Sequence, residues 1–400
     1  GQQLSPQHSR KDSANSEPKP IAASGKKSLS LEQLVVDTAL DSSQMEEISL
    51  NMRHGIFVPS PSLSTSDSSA AASPAIDPVP ISVCKSTGSP LRLTPSSPVV
   101  SSAIATAATV HNTESPQKRN SKGKLKKNRR VMCRRQNLER LPNDEMWSDP
   151  SMLSRAVEID ISCNKLTEFP EEVLQAKRLL ELNLACNRLK DIPQTCLSLT
   201  TLTTLRLSVN FISVLPDYLF RLPALQELIA SWCSIQTIKF PKEPPFSPIE
   251  VLELENNLLH RVSSKIGNLT TLKVLSFSNN SIRELPDTIA NLTQLTELYL
   301  DENRLKRLPS STCKLSSLER LEMGGNRIRN LPGSWFDESS IAPPLRHLQV
   351  QKNKLEMLPV SFFRALRRLI SLDISENRLK WIPASITDAI NLESFYIGAN

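Results

Sequence analysis

The sequence predicts an α/β solenoid with a parallel sheet on one face and short helical or 3-10 turns on the other, following a disordered N-terminal region. Three observations predict it. Residues 156–400 repeat one sentence, L-x-x-L-x-L-x-x-N-x-L-x-x-L-P, in eleven in-phase copies. Their asparagine column falls at Asn164, Asn187, Asn210, Cys233, Asn257, Asn280, Asn303, Asn326, Asn353, Asn377 and Asn400, in steps of 23 or 24 residues with one of 27. A fixed period of this size means stacked supersecondary units. Residues 1–117, in contrast, hold one aromatic, Phe57, in a chain with 11 Phe, 4 Trp and 3 Tyr.

Ser, Pro, Ala and Thr dominate residues 1–117. Such a segment buries too little apolar area to offset its ordering entropy. Within it, Ser30 and Gln33 form a capping-box pattern, and Leu31, Leu34, Val35 and Thr38 fall on one helical face, so Ser30–Leu50 reads as a transient helix or a docking motif. Ser60, Ser73, Ser89, Thr94, Ser97 and Ser115 each precede proline, which suits proline-directed kinases.

Residues 118–135 are a basic linker. They carry ten Lys and Arg and no acid, in a chain of net charge +7. The remainder is therefore slightly acidic. The stretch reads as a solvated linker, an import signal or nucleic-acid contact, or a contact for an anionic membrane. Ser121 lies within it, and phosphorylation there would add nearly two negative charges. Residues 129–155 read as a degenerate capping repeat that overlaps the linker. Val131, Cys133, Leu138, Leu141 and Pro142 occupy repeat positions with Gln136 in the asparagine column, and Trp147 sits in the longer connection Asn143–Arg155.

Each repeat has a strand, a turn and a return leg. In the copy from Leu295 to Pro309, Leu298 and Leu300 alternate with Glu297, Tyr299 and Asp301. That is strand periodicity with one buried face. One short strand cannot bury its leucines alone, so neighbours must stack. The asparagine carries donor and acceptor together and can satisfy buried backbone groups at successive turns. Cys233 fills that place once, as a weaker donor. The following proline stops continuation, and P-x-x-I-x-x-L, as at Pro286, Ile289 and Leu292, has the spacing of a short 3-10 turn. Two segments, Lys239–Pro248 and Asp337–Pro344, are read as insertions that bulge as surface loops.

These residues resemble the leucine-rich repeat family over about residues 129–400. The 23-residue step with Leu-Pro is similar to the intracellular Ras-group type, as in Scribble and Erbin, the repeats of Roco proteins and the leucine-rich repeat phosphatases. The resemblance implies a curved horseshoe whose inner sheet binds proteins, with small GTPases or phosphatase subunits as expected partners. The chain begins with Gly and stops inside a repeat, which leads to the expectation that further chain follows.

Residues alternating with the leucines face the concave side. The central column runs Asp160, Asn183, Arg206, Ile229, Glu253, Ser276, Tyr299, Glu322, Gln349, Asp373 and Tyr396. Flanking columns add Glu158, Glu181, Glu227, Glu255, Glu297, Asp301, Glu302 and Glu376 against Arg206, Arg320 and Lys352. The face is acidic. It favours a basic or polar protein partner and repels nucleic acid. Trp232, Tyr299 and Tyr396 are the aromatic anchor candidates, each weighed against an ordinary strand residue. The basic linker is also a candidate to lie on this face and compete with the partner.

Seven cysteines show no C-x-x-C and no flanking clusters, from which a reducing, cytoplasmic setting is expected, with membrane or nuclear association through the linker. Cys163 and Cys186 share a repeat position on strands about 4.8 Å apart, a metal or redox pair if not incidental. Three sequons, at Asn268, Asn279 and Asn291, arise largely from repeat wording. No phosphate loop, zinc motif or nucleophile elbow is present. The expectation is a non-enzymatic signalling scaffold or adaptor without cofactor. The alternative is the recognition domain of a larger enzyme (a GTPase–kinase, phosphatase or cyclase).

Overall fold

The computed structural model describes residues 129–142, 147, 150–337 and 342–400. The sites at Ser60, Ser73, Ser89, Thr94, Ser97, Ser115 and Ser121, the Ser30–Leu50 helix and most of the basic linker lie outside them.

One parallel sheet of twelve strands forms the inner face. The strands are Arg129–Met132, Ala156–Asp160, Glu181–Asn183, Thr204–Arg206, Glu227–Ile229, Val251–Glu253, Val274–Ser276, Glu297–Tyr299, Arg320–Glu322, His347–Gln349, Ser371–Asp373 and Ser394–Tyr396. Leu182, Leu205, Leu228, Leu252, Leu275, Leu298, Leu321, Leu348 and Leu372 stand opposite one another, ending at Phe395. These leucines and those two residues later form one continuous buried core. Each fully buried leucine contributes about 1.5–3 kcal/mol, and none has a core without the next repeat.

Behind the sheet, 3-10 turns such as Glu171–Gln175, Asp287–Asn291 and Ser310–Lys314 make the return legs. The proline does more than stop the strand. It caps the turn, and its carbonyl accepts from the residue three later, as in Ile289 N–H to Pro286 O at 3.0 Å. Its fixed φ places the chain there without using a donor. At Gly267 the next turn comes so close that a Cβ would lie 2.4 Å from Thr288 O.

The asparagine ladder is complete apart from Cys233. Asn303 Nδ2 donates to Phe277 O, Leu300 O and Asp301 O at 2.9–3.1 Å, while Oδ1 accepts from Ile282 N–H at 2.9 Å. One side chain thus closes its own turn and grips the preceding repeat. At Cys233 the thiol donates to Leu207 O at 3.4 Å.

A second column of the turn was not visible in the sequence. The residue before every ladder position has positive φ: Cys163, Cys186, Val209, Trp232, Asn256, Asn279, Glu302, Gly325, Lys352, Glu376 and Ala399, all between 50° and 63°. In the cap Arg135 and Asn137 both have positive φ, at 56° and 58°, and Asn164 Oδ1 accepts from Leu138 N–H at 3.1 Å as Asn187 does from Leu166 N–H, which places Gln136 in the ladder register. Left-handed backbone is costly for non-glycine residues. The ladder bonds over-determine it here.

The Lys239–Pro248 segment is not a bulge on a normal repeat. It is the return leg itself. Val214–Leu215 and Thr237–Ile238 pair as a small second sheet, and Phe240 then packs against Phe220 with ring centroids 4.7 Å apart. Ser247 is buried beside it. The repeat step there is only one residue longer than its neighbours, so the proline-rich stretch has to replace the 3-10 turn. In the cap, Val131, Cys133, Leu141 and Trp147 join the core. No helix among the described residues is long and apolar enough to cross a membrane.

Candidate interaction surface

The strand register places the central column as expected. Asp160, Asn183, Arg206, Ile229, Glu253, Ser276, Tyr299, Glu322, Gln349, Asp373 and Tyr396 stand directly opposite one another along the sheet. Glu255, Asp301 and Gln351 lie two residues on in their own strands' extensions. The side chains are more tightly packed than a solvated face requires. Glu253, Tyr299 and Glu322 are buried, Glu322 to 1% exposure. Tyr299 is no free anchor, since its hydroxyl donates to Glu297 Oε2 at 2.5 Å. Trp232 lies outside the strand, half-buried at a left-handed turn with φ 57°. Tyr396 alone of the three stands well exposed, at 58%.

At the N-terminal end the acids find cations within the chain. Arg130 pairs with Glu158 at 2.7 Å and Arg134 with Asp160 at 3.5 Å. Asp160 also accepts from Asn183 Nδ2 at 3.2 Å. Arg206 pairs with Glu227 at 3.5 Å. The last residues of the basic stretch are therefore the first strand of the sheet, and they neutralise its first acids.

The central repeats differ. Glu255 accepts from Ser276 Oγ at 2.7 Å, and burial pushes its carboxyl upward against that bond. Asp301 accepts from Gly324 N–H at 2.8 Å and Ser278 Oγ at 3.4 Å. Burial, then the Glu322 carboxylate, still push Asp301 up to about 7. Arg320 reaches Glu322 Oε1 at 3.0 Å. Burial, with Glu297 and Glu255 adding to it, nevertheless raises Glu322. Among the described residues Glu322 Oε2 has no hydrogen-bond partner, nor do the buried Oε1 atoms of Gln349 and Gln351. Buried polar atoms are normally paired, so this band is an arrangement of acceptors short of donors. Beyond it, Asp373 is again satisfied locally, by Ser375 N–H at 3.0 Å and its hydroxyl at 2.6 Å.

Gln351 was missed in the sequence, although the column through Glu255 and Asp301 leads to it. Among the described residues no group of three His, Cys, Asp or Glu side chains is placed to hold a metal ion.

A leucine-rich repeat region model matches residues 230–336, and a leucine rich repeat model matches 177–235 and 343–400. None of the curated proteins matches the chain. Among solved structures, a leucine-rich repeat protein of Leptospira interrogans is 26% identical with TM-score 0.54, covering 66% of this chain and 77% of its own. The plant peptide hormone receptor RGFR1 in complex with RGF2 is 26% identical with TM-score 0.53, covering 64% of this chain and 41% of that one. The Drosophila Toll–Spatzle complex gives 25% identity and TM-score 0.51, with coverages of 58% and 33%.

Proposed function

Because residues 177–400 of this chain belong to the leucine-rich repeat family, a non-catalytic fold that generally mediates protein–protein contact, we propose that it is an intracellular signalling scaffold or adaptor. It takes a basic segment of a protein partner on the central part of its inner sheet. The observation that carries this is the acceptor band of Glu255, Asp301, Glu322, Gln349 and Gln351. Its carboxylates are pushed toward protonation, and three of its acceptor atoms have no donor among the described residues. A partner's guanidinium supplies up to five N–H donors and a positive charge in one group. Bringing it there satisfies acceptors that the chain leaves open, whereas the paired acids at the N-terminal end gain little.

What supports protein ligands in general is the pair of complexes among the similar structures, in which RGFR1 holds RGF2 and Toll holds Spatzle. What supports the Ras-group type, with small GTPases or phosphatase subunits as partners, is the regular 23-residue step with its Leu-Pro pair.

The test is calorimetric titration of the full chain with an acetylated tetra-arginine peptide, with tetra-citrulline as the uncharged control. Asp301→Asn with Glu322→Gln is expected to weaken tetra-arginine binding about tenfold, about 1.4 kcal/mol. Glu158→Gln with Glu181→Gln should leave it within about twofold, since rim charges act mainly through long-range attraction. Equal losses from both pairs, or no binding by the unmodified chain, would count against the reading.

A further inference from the structure

Cys163 and Cys186 occupy the same turn position in neighbouring repeats. Each immediately precedes a ladder asparagine, and each is left-handed, with φ 58° and 54°. Their turns are stitched together directly. Cys163 N–H donates to Ala185 O at 2.9 Å, and Asn164 N–H donates to Cys186 O at 3.1 Å. Paired strands lie about 4.8 Å apart, within the Cα separation of roughly 4.4–6.8 Å that a disulfide accepts. Both residues carry free thiols, Cys163 half-buried and Cys186 buried. The two thiols are near enough to act on each other's ionisation, with Arg134, Arg135 and Ser162 in the neighbourhood of Cys163.

We propose that Cys163 and Cys186 form a dithiol that peroxides oxidise to an intramolecular disulfide, with Cys163 attacking and Cys186 resolving.

The two sulfurs are prepared for different parts. The hydrogen bond from Cys186 lowers Cys163 to about 6 in spite of its burial, with Arg134, Ser162 and Arg135 adding to the effect. Cys186 is pushed far up by that same bond, by burial and by the Cys163 charge, so it keeps its proton. The thiolate is the nucleophile. The remaining buried cysteines with resolved shifts go the other way, since burial holds Cys196 and Cys233 up at about 12.

With hydrogen peroxide as oxidant, the Cys163 thiolate attacks one oxygen. An S–O bond forms, the O–O bond breaks, and hydroxide leaves and is protonated to water. Cys163 is then a neutral sulfenic acid. Two of the influences that held the proton on Cys186, the thiolate's charge and its hydrogen bond, have gone. Cys186 loses its proton and attacks the Cys163 sulfur. The S–S bond forms, the S–O bond breaks, and the departing hydroxide takes up that proton as a second water. Two thiols lose two electrons, and one peroxide is reduced to two waters.

The experiment uses the reduced full chain. It is treated with hydrogen peroxide, alkylated and analysed by peptide mass spectrometry. A Cys163–Cys186 crosslink two hydrogens lighter than the reduced pair is expected. Cys186→Ser should instead give a dimedone adduct on Cys163, and in Cys163→Ser residue 186 should stay reduced. Circular dichroism of both variants checks that they fold. The pH profile of Cys163 alkylation by iodoacetamide should have its midpoint near 6, where an ordinary thiol has about 8.5. Peroxide-treated chain in which both cysteines remain alkylatable would overturn the proposal. So would an ordinary alkylation midpoint, or a dimedone adduct on Cys163 that persists while Cys186 is present.

Discussion

The N-terminal end and the middle of one sheet treat the same kind of residue in opposite ways. From Glu158 to Glu227 three of the inward acids, Glu158, Asp160 and Glu227, have arginines beside them, Arg130, Arg134 and Arg206. From Glu255 to Gln351 they crowd one another, Arg320 is the cation paired with them among the described residues, and acceptor atoms there are left open. Both halves hang on the same ladder and the same leucine column. The difference therefore lies in the variable positions, and it is the ground for proposing the central repeats as the binding surface.

The comparison breaks if the scaffold itself differs. Asn187→Ala removes bonds to Ile161 O, Leu184 O and Leu166 N–H, and Asn303→Ala removes their counterparts in the central repeats. Each change strands several buried backbone groups and should cost about 3 kcal/mol by chemical denaturation. Costs that differ by more than about 1 kcal/mol would place the asymmetry in the ladder instead of the side chains.

The ladder and the strand register were legible in the sequence because each column repeats one residue type. The left-handed column was not. Cys, Val, Trp, Asn, Glu, Lys and Ala occupy it as well as Gly325. The surrounding hydrogen bonds force that geometry, so no residue preference announces it. The depth of the central column was also missed. Alternation with leucine says that Glu253, Tyr299 and Glu322 face away from the core, but neighbouring side chains only a strand spacing apart then bury one another. The paired N-terminal end had a signal in Arg130 and Arg134, which fall where the basic linker overlaps the capping repeat.

The next effect is one of pH. Asp301 has a folded value of about 7 against an ordinary 3.8. Between those values the native chain binds more protons than the unfolded chain, so stability falls as pH rises from about 4 to 7 and the loss is complete above 7. After allowance for partial exposure the fall is on the order of 2 kcal/mol. Asp301→Asn should flatten the stability–pH curve in this window. A variant whose curve keeps its slope would remove the electrostatic half of the comparison.

An internal cation sharpens the contrast. Val274 stands opposite Glu297 in the register, in the column that holds Arg320. Val274→Arg gives the central acids what the N-terminal end already has. Tetra-arginine affinity should fall about threefold to tenfold, up to about 1.4 kcal/mol, while Asp301 titrates lower. Unchanged affinity would mean that the open acceptors are not what the peptide uses.

The smallest change lies near the boundary between the two regions. Cys233→Asn restores an amide to the ladder, where the thiol reaches Leu207 O at 3.4 Å. Stability should rise by about 1 kcal/mol in thermal or chemical denaturation, with peptide binding unaffected.

The central claim is that the carboxylates of the middle repeats lack a cation that a partner brings. Carboxyl NMR titration of Asp301, in the free chain and with tetra-arginine bound, measures this directly. The account predicts a midpoint near 7 in the free chain and a drop toward the ordinary aspartate range on binding. An ordinary midpoint in the free chain, or one that the peptide does not move, would contradict it.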